Sequence, residues 1–140
     1  MHKYSIVLFC AGLLLAYGCG SKVDGPQRYQ LTGKVTFNGN PVPIGVIYLT
    51  PDTSKGNRGP GTLAEIKDGR YSTPPNKGTV GGAMVLEFSG FDGQKTGTGD
   101  DENRVGKTLF DGYRLEAELP QKSAQQDFDV PLSAAGGKKP

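Results

Sequence analysis

The sequence predicts an all-β domain, a β-sandwich of about seven short strands, preceded by a helical signal peptide. Three observations predict it. Downstream of residue 30, apolar residues recur at every second position in short runs, the period of a strand with one buried face. Asn-Gly, Asp-Gly and proline signals separate those runs. No window beyond the leader repeats apolar residues at the 3.6-residue helical period.

The elements follow in order. In residues 31–37 the apolar positions Leu31, Val35 and Phe37 alternate with Thr and Lys, which gives a half-buried strand. Asn38-Gly39 then favours a tight turn, because both residues tolerate positive φ, and Pro41 and Pro43 keep the next residues out of a helix. Residues 46–50 are β-branched and aromatic and are closed by Pro51, so they read as a second strand, followed by a polar loop over 52–61. Asp68-Gly69 lies between two flanks of high β propensity and is the strongest hairpin signal in the chain. Met84, Leu86 and Phe88 alternate inward along the next strand, which Phe91-Asp92-Gly93 ends. Residues 94–107 are polar and Gly-rich, a mobile loop. Leu115, Ala117 and Leu119 alternate with Arg114, Glu116 and Glu118, and Phe128 and Val130 with Asp127 and Asp129, giving two more strands.

Composition leaves room for one such domain. Of 140 residues only 35% are apolar, while 22 glycines and 10 prolines suit a loop-rich chain. The formal net charge is +2, with basic residues scattered among acidic ones. Nucleic-acid binding needs a clustered positive face to displace counterions, so that class is not expected.

The first eighteen residues read as an address. Lys3 supplies a positive start, and residues 6–16 are apolar but too short for a bilayer, which needs about 20 residues. Gly18-Cys19-Gly20-Ser21 then resembles the lipobox of bacterial lipoproteins, whose cysteine thiol is lipidated and whose amine becomes the new N-terminus. Ala16 stands where that pattern usually has Leu, and Tyr17 where it usually has a small residue. Cleavage by the ordinary signal peptidase is the competing reading. Cysteine usage favours lipidation: Cys10 lies in the leader, so Cys19 would be the only thiol of the exported chain. The expected division is a signal peptide over 1–18, lipidated Cys19 and a flexible tether over 19–29, the sandwich over 30–132 and a disordered tail over 133–140.

The run 32–39, then Pro41-Val42-Pro43, Ile47-Tyr48 and the hairpin Asp68-Gly69-Arg70-Tyr71 together resemble carboxypeptidase-regulatory-like domains, a prealbumin-like (transthyretin-like) family. With Cys19-Gly20, residues 77–82 and Gly90-Phe91-Asp92-Gly93, the pattern is similar to small lipoproteins numerous in planctomycete bacteria. The resemblance runs over about residues 30–93 and rests on turn residues. It implies a seven-stranded prealbumin-like sandwich and a non-catalytic envelope domain. Enzymes on related folds, hydroxyisourate hydrolases and intradiol dioxygenases, need histidines, and the only histidine here is His2, in the leader.

The residues outside the leader therefore lack the parts for Ser-His-Asp or Cys-His nucleophiles and for typical zinc sites. Asp100-Asp101-Glu102 is the densest acidic cluster, but neighbouring loop residues point apart and stay solvated, unlike paired catalytic carboxylates. A calcium loop is the better candidate, with Asp92, Asp100, Asp101 and Glu102 as ligands; its spacing is not that of an EF-hand, and a charged loop kept soluble is the competing reading. Gly106-Lys107-Thr108 ends like a P-loop, but Asp101 occupies the required glycine position. The glycines between 78 and 82 lead into a strand and read as turn or bulge residues. Tyr29, Tyr48, Tyr71 and Tyr113 are candidates for a ligand platform, or equally for packing between the sheets.

The expected function is a cell-envelope lipoprotein whose sandwich serves as a binding or structural module for an envelope protein or glycan, with no cofactor. A carboxylate- or calcium-dependent extracellular enzyme acting on envelope polymers is the alternative.

Overall fold

The computed structural model describes residues 25–98 and 104–135. The leader, Cys19, the carboxylates Asp100, Asp101 and Glu102, and residues 136–140 lie outside the described residues.

The described chain is all-β. Its strands are β1 (Leu31–Phe37), β2 (Asn40–Pro41), β3 (Ile44–Pro51), β4 (Thr62–Lys67), β5 (Arg70–Ser72), β6 (Gly82–Phe91), β7 (Thr108–Leu119), β8 (Ala124–Gln125) and β9 (Phe128–Val130). Two 3-10 turns, Thr53–Lys55 and Leu132–Ala134, are the helical elements. The antiparallel path runs β2-β1-β5-β4-β3-β6-β7, and β8 and β9 pair with β1 in parallel. Thr32 is paired with Ser72 of β5 and with Gln125 of β8, so β1 has neighbours on both sides.

Both expected two-residue turns form. Asn38 and Gly39 (φ 49° and 77°) join β1 to β2, and Asp68 and Gly69 (φ 50° and 72°) join β4 to β5. Positive φ at both central residues matches the right-handed twist of the strands, which is why these sequences select this hairpin.

The sheet curls until its ends face each other. Phe37 of β1 lies 5.2 Å, centroid to centroid, from Phe110 of β7. Phe128 of β9 meets Phe88 of β6 edge-on at 5.3 Å and Tyr71 of β5 at 5.8 Å. Two layers thus enclose one core, as in a β-sandwich, with Val35, Ile47, Leu49, Ile66, Leu86 and Phe88 wholly buried. Each large side chain so buried contributes about 1.5–3 kcal/mol.

The expected inward set Met84, Leu86 and Phe88 is buried. Leu115 and Ala117 face the core only half-buried, whereas Phe110 is fully buried from an even-numbered position. A β-bulge accounts for the change of parity: the register slips between Phe88 and Gly90 of β6, opposite Gly112 (φ 68°) of β7.

Of the tail expected over 133–140, residues 133–135 are described, and they belong to the Leu132–Ala134 turn and an isolated bridge. After the 3-10 turn, Ala135 bridges to Phe110, because the chain leaving β9 runs beside β7 and its backbone groups pair there. At the other terminus the expected tether reaches residue 29, yet Arg28 already donates to the Gly78 carbonyl at 2.8 Å and the Gly61 carbonyl at 2.9 Å. Tyr29 bridges to Thr79.

Candidate functional site

The strand β3 presents Ile47 and Leu49 to the core, and the alternation that buries them turns Val46, Tyr48 and Thr50 outward. Tyr48 is 49% exposed at the middle of this outer face. Its cross-strand neighbours are Leu63 of β4 and Glu87 of β6; those of Val46 are Glu65 and Ser89, and those of Ile44 are Lys67 and Phe91. An apolar stripe therefore runs along β3 between two rows that carry charge.

Tyr48 borders two hollows. One is a depression of about 930 Å³, walled by Val46, Leu63, Phe91 and, from the long β6–β7 connection, Arg104 and Val105. The other, of about 370 Å³, is walled by Thr50, Asp52, Ser54, Val85, Glu87 and Arg114. Leu63 and Val105 are exposed as well, so the stripe is a patch and not a single side chain.

Several charges around the patch are paired. Lys67 pairs with Glu65 at 2.7 Å, and Lys55 with Glu116 at 2.9 Å. The Lys67 ammonium keeps the Glu65 carboxyl below the usual glutamate range. Asp52, buried, accepts from the Ser54 amide at 3.0 Å and the Ser54 hydroxyl at 2.5 Å. Those bonds, the hydroxyl's first, hold its carboxyl below the usual aspartate range although burial pushes the other way. The Thr36 hydroxyl and the Gly39 amide do the same for Asp129. A general acid needs a carboxyl pushed upward, and at Asp52, Glu65 and Asp129 the environment does the reverse.

Of the candidate calcium ligands, Asp92 is within the described residues, and its Oδ1 already accepts from the amides of Gln94 and Lys107, both at 2.9 Å. With the amides of Asp92 and Gly93 donating to the carbonyls of Lys107 and Val105, this closes the base of the β6–β7 connection. A Cβ at Gly106 would overlap that same Oδ1, which explains the glycine there. Among the described residues no three His, Cys, Asp or Glu side chains gather as metal ligands.

The four candidate tyrosines part company. Tyr71 is buried, and its hydroxyl donates to the Gln126 carbonyl. Tyr113 packs against Phe88 at 6.0 Å, and Tyr29 is half-buried beside Thr79. Tyr48 alone of the four is exposed. The sequence reading missed Leu63, Glu87, Arg104, Val105 and Arg114 as its companions. Strand alternation places Leu63 and Glu87 on an outer face, but cross-strand register, which the sequence does not carry, is what sets them beside Tyr48. No protein-family model, no curated protein and no solved structure matches the chain.

Proposed function

We propose that the chain is an exported, non-catalytic sandwich module of prealbumin-like type, anchored to the membrane through lipidated Cys19, which binds an envelope glycan on the outer face of β3. The exposure of Tyr48 between Val46 and Leu63 carries this reading, because the core is complete without these side chains. A flat aromatic ring flanked by Glu87, Arg114 and Thr50 offers a sugar an apolar surface to stack on and polar groups to orient its hydroxyls. The leader, the Gly18-Cys19 junction and the lack of other thiols beyond residue 19 support the anchored location.

The test uses the full chain matured in a bacterial host. Soluble peptidoglycan fragments and other envelope glycans are added, and thermal shift and product formation are read together. Binding without turnover that Tyr48→Ala weakens is the expected result. Turnover that disappears with Glu65→Gln and Glu87→Gln overturns it in favour of an enzyme, and binding by envelope proteins alone overturns the glycan assignment. The mass of the mature N-terminus tests the anchor separately: an unmodified Cys19, or cleavage elsewhere, rules it out.

A further inference from the structure

The end of the sandwich from which the chain leads back to Cys19 differs in charge from the opposite end. Four segments meet there: residues 25–30, 53–61, 73–81 and 120–123. Arg28 ties the first to the carbonyls of Gly61 and Gly78. The Gln30 amide donates to the Ser123 hydroxyl at 3.2 Å, and Asn57 donates to the Gly81 carbonyl at 2.8 Å. These segments contain Arg28, Lys55, Arg58, Lys77 and Lys122 and no Asp or Glu. Lys55 is engaged by Glu116; Arg58, Lys77 and Lys122 are exposed and pair with no carboxylate among the described residues. Two more carboxylates are nearby: Glu118, toward the end of β7, and Asp52, which caps the Thr53–Lys55 turn and lies 3.7 Å from Lys55. The opposite end mixes both signs, with Asp68, Asp92 and Asp129 beside Lys67, Arg70 and Lys107.

We infer that this basic end is a membrane-facing surface that rests on anionic phospholipid headgroups and holds the domain upright over its anchor. The inference rests on the lipidation of Cys19 proposed above. Cys19 is six residues ahead of Gly25, a span of at most about 20 Å even when fully extended. Lys22 and Asp24, within that span, cancel. The basic end is thus the part of the described domain nearest the bilayer. A cation within about 8 Å of an anionic surface feels its potential at physiological salt, and each such residue strengthens the attraction about fivefold. Arg58, Lys77 and Lys122 sit on different loops of one end, so together they fix a tilt, which a single contact would not.

Lysine labelling on vesicles tests this with the full matured chain. The protein is placed on neutral phosphatidylcholine vesicles or on vesicles with about 30% phosphatidylglycerol, an anionic fraction chosen so that the surface charge dominates the comparison. Acylation rates are then read by mass spectrometry at Lys77 and Lys122, with Lys67 and Lys107 as references at the other end. The expected result is labelling at Lys77 and Lys122 at least threefold slower on the anionic vesicles, reversed at high salt, with Lys67 and Lys107 unchanged. Equal rates on both vesicles, or equal slowing at all four lysines, overturn the membrane-facing surface. The anchor is read independently, from the N-terminal mass and from sedimentation with the neutral vesicles. If acyl chains are present and the rates are equal, the surface fails and the anchor stands. If acyl chains are absent and Lys77 and Lys122 are still slowed selectively on anionic vesicles, the anchor fails and the surface stands.

Discussion

The Tyr71 hydroxyl donates to the Gln126 carbonyl across 2.7 Å, joining β5 to the short link between β8 and β9. Tyr71 is 4% exposed, so the hydroxyl makes this bond away from solvent. Tyr71→Phe keeps the ring packed on Phe128 and leaves the carbonyl without its donor. The expected loss is about 1–2 kcal/mol in denaturant unfolding. Burial, with the Asp127 carboxylate adding to it, pushes the phenol above the usual tyrosine range. A raised folded value means that this stabilisation is intact below about pH 10 and is lost as pH rises beyond it. The Phe variant should therefore unfold with a weaker alkaline dependence than the parent chain, and identical alkaline profiles would count against the assignment.

Gly33 lies under the same link. A Cβ there would overlap the Gln126 carbonyl, whose backbone crosses the inner side of β1, while the Gln126 amide donates to the Thr32 carbonyl at 2.8 Å. Backbone against backbone has little room to yield. Gly33→Ala should destabilise the domain by about 1–3 kcal/mol and raise amide exchange over 124–130 first. Unchanged exchange in that segment would show that the link is not seated on Gly33.

These two contacts show what the sequence made legible. The period-two runs and the Asn38-Gly39 and Asp68-Gly69 turns placed the main strands, because each is decided within a few residues. Gly33 was visible as part of a strand, but not as the seat of a crossing chain, since the partner Gln126 is far away in sequence. The bulge at Gly112 and the bridge from Ala135 to Phe110 are long-range for the same reason. At the candidate site, Tyr48 was legible as one of four tyrosines. Burial then took Tyr71 into the core and half-buried Tyr29 and Tyr113, and burial is set by how the sheet curls and not by local pattern.

Asp52 links stability to pH in the acid range. The Ser54 hydroxyl and amide hold its carboxyl below the ordinary aspartate value, so its contribution is present above about pH 3.9 and fades as pH falls through the lower folded value. The melting temperature should decline as the solution is acidified below pH 4. Asp52→Asn should melt lower at neutral pH and show a shallower acid decline; Asp129 and Glu65, lowered as well, keep it from being flat. Parallel curves for the two proteins would mean that Asp52 is not a source of the dependence.

Tyr48 separates binding from stability more cleanly than any other residue of the β3 face. Its ring is half in solvent, with Leu63 opposite on β4 and Glu87 on β6, so truncation opens no cavity in the core. What Tyr48→Ala removes is strand propensity and one cross-strand pair, together about 1 kcal/mol or less. Removing Phe88, wholly buried and packed on both Phe128 and Tyr113, should cost about 3–5 kcal/mol by contrast. If a sugar stacks on the ring, Tyr48→Ala should weaken binding about tenfold, the equivalent of 1.4 kcal/mol. Tyr48→Phe, which keeps the flat face and loses only the hydroxyl, should bind nearly as well as the parent. Calorimetric titration of the three proteins with a glycan that shifts the parent's melting point provides the comparison. Equal affinity in the Ala variant would move the contact off this face, whereas loss in both variants would make the hydroxyl, and not the ring, the group that is recognised.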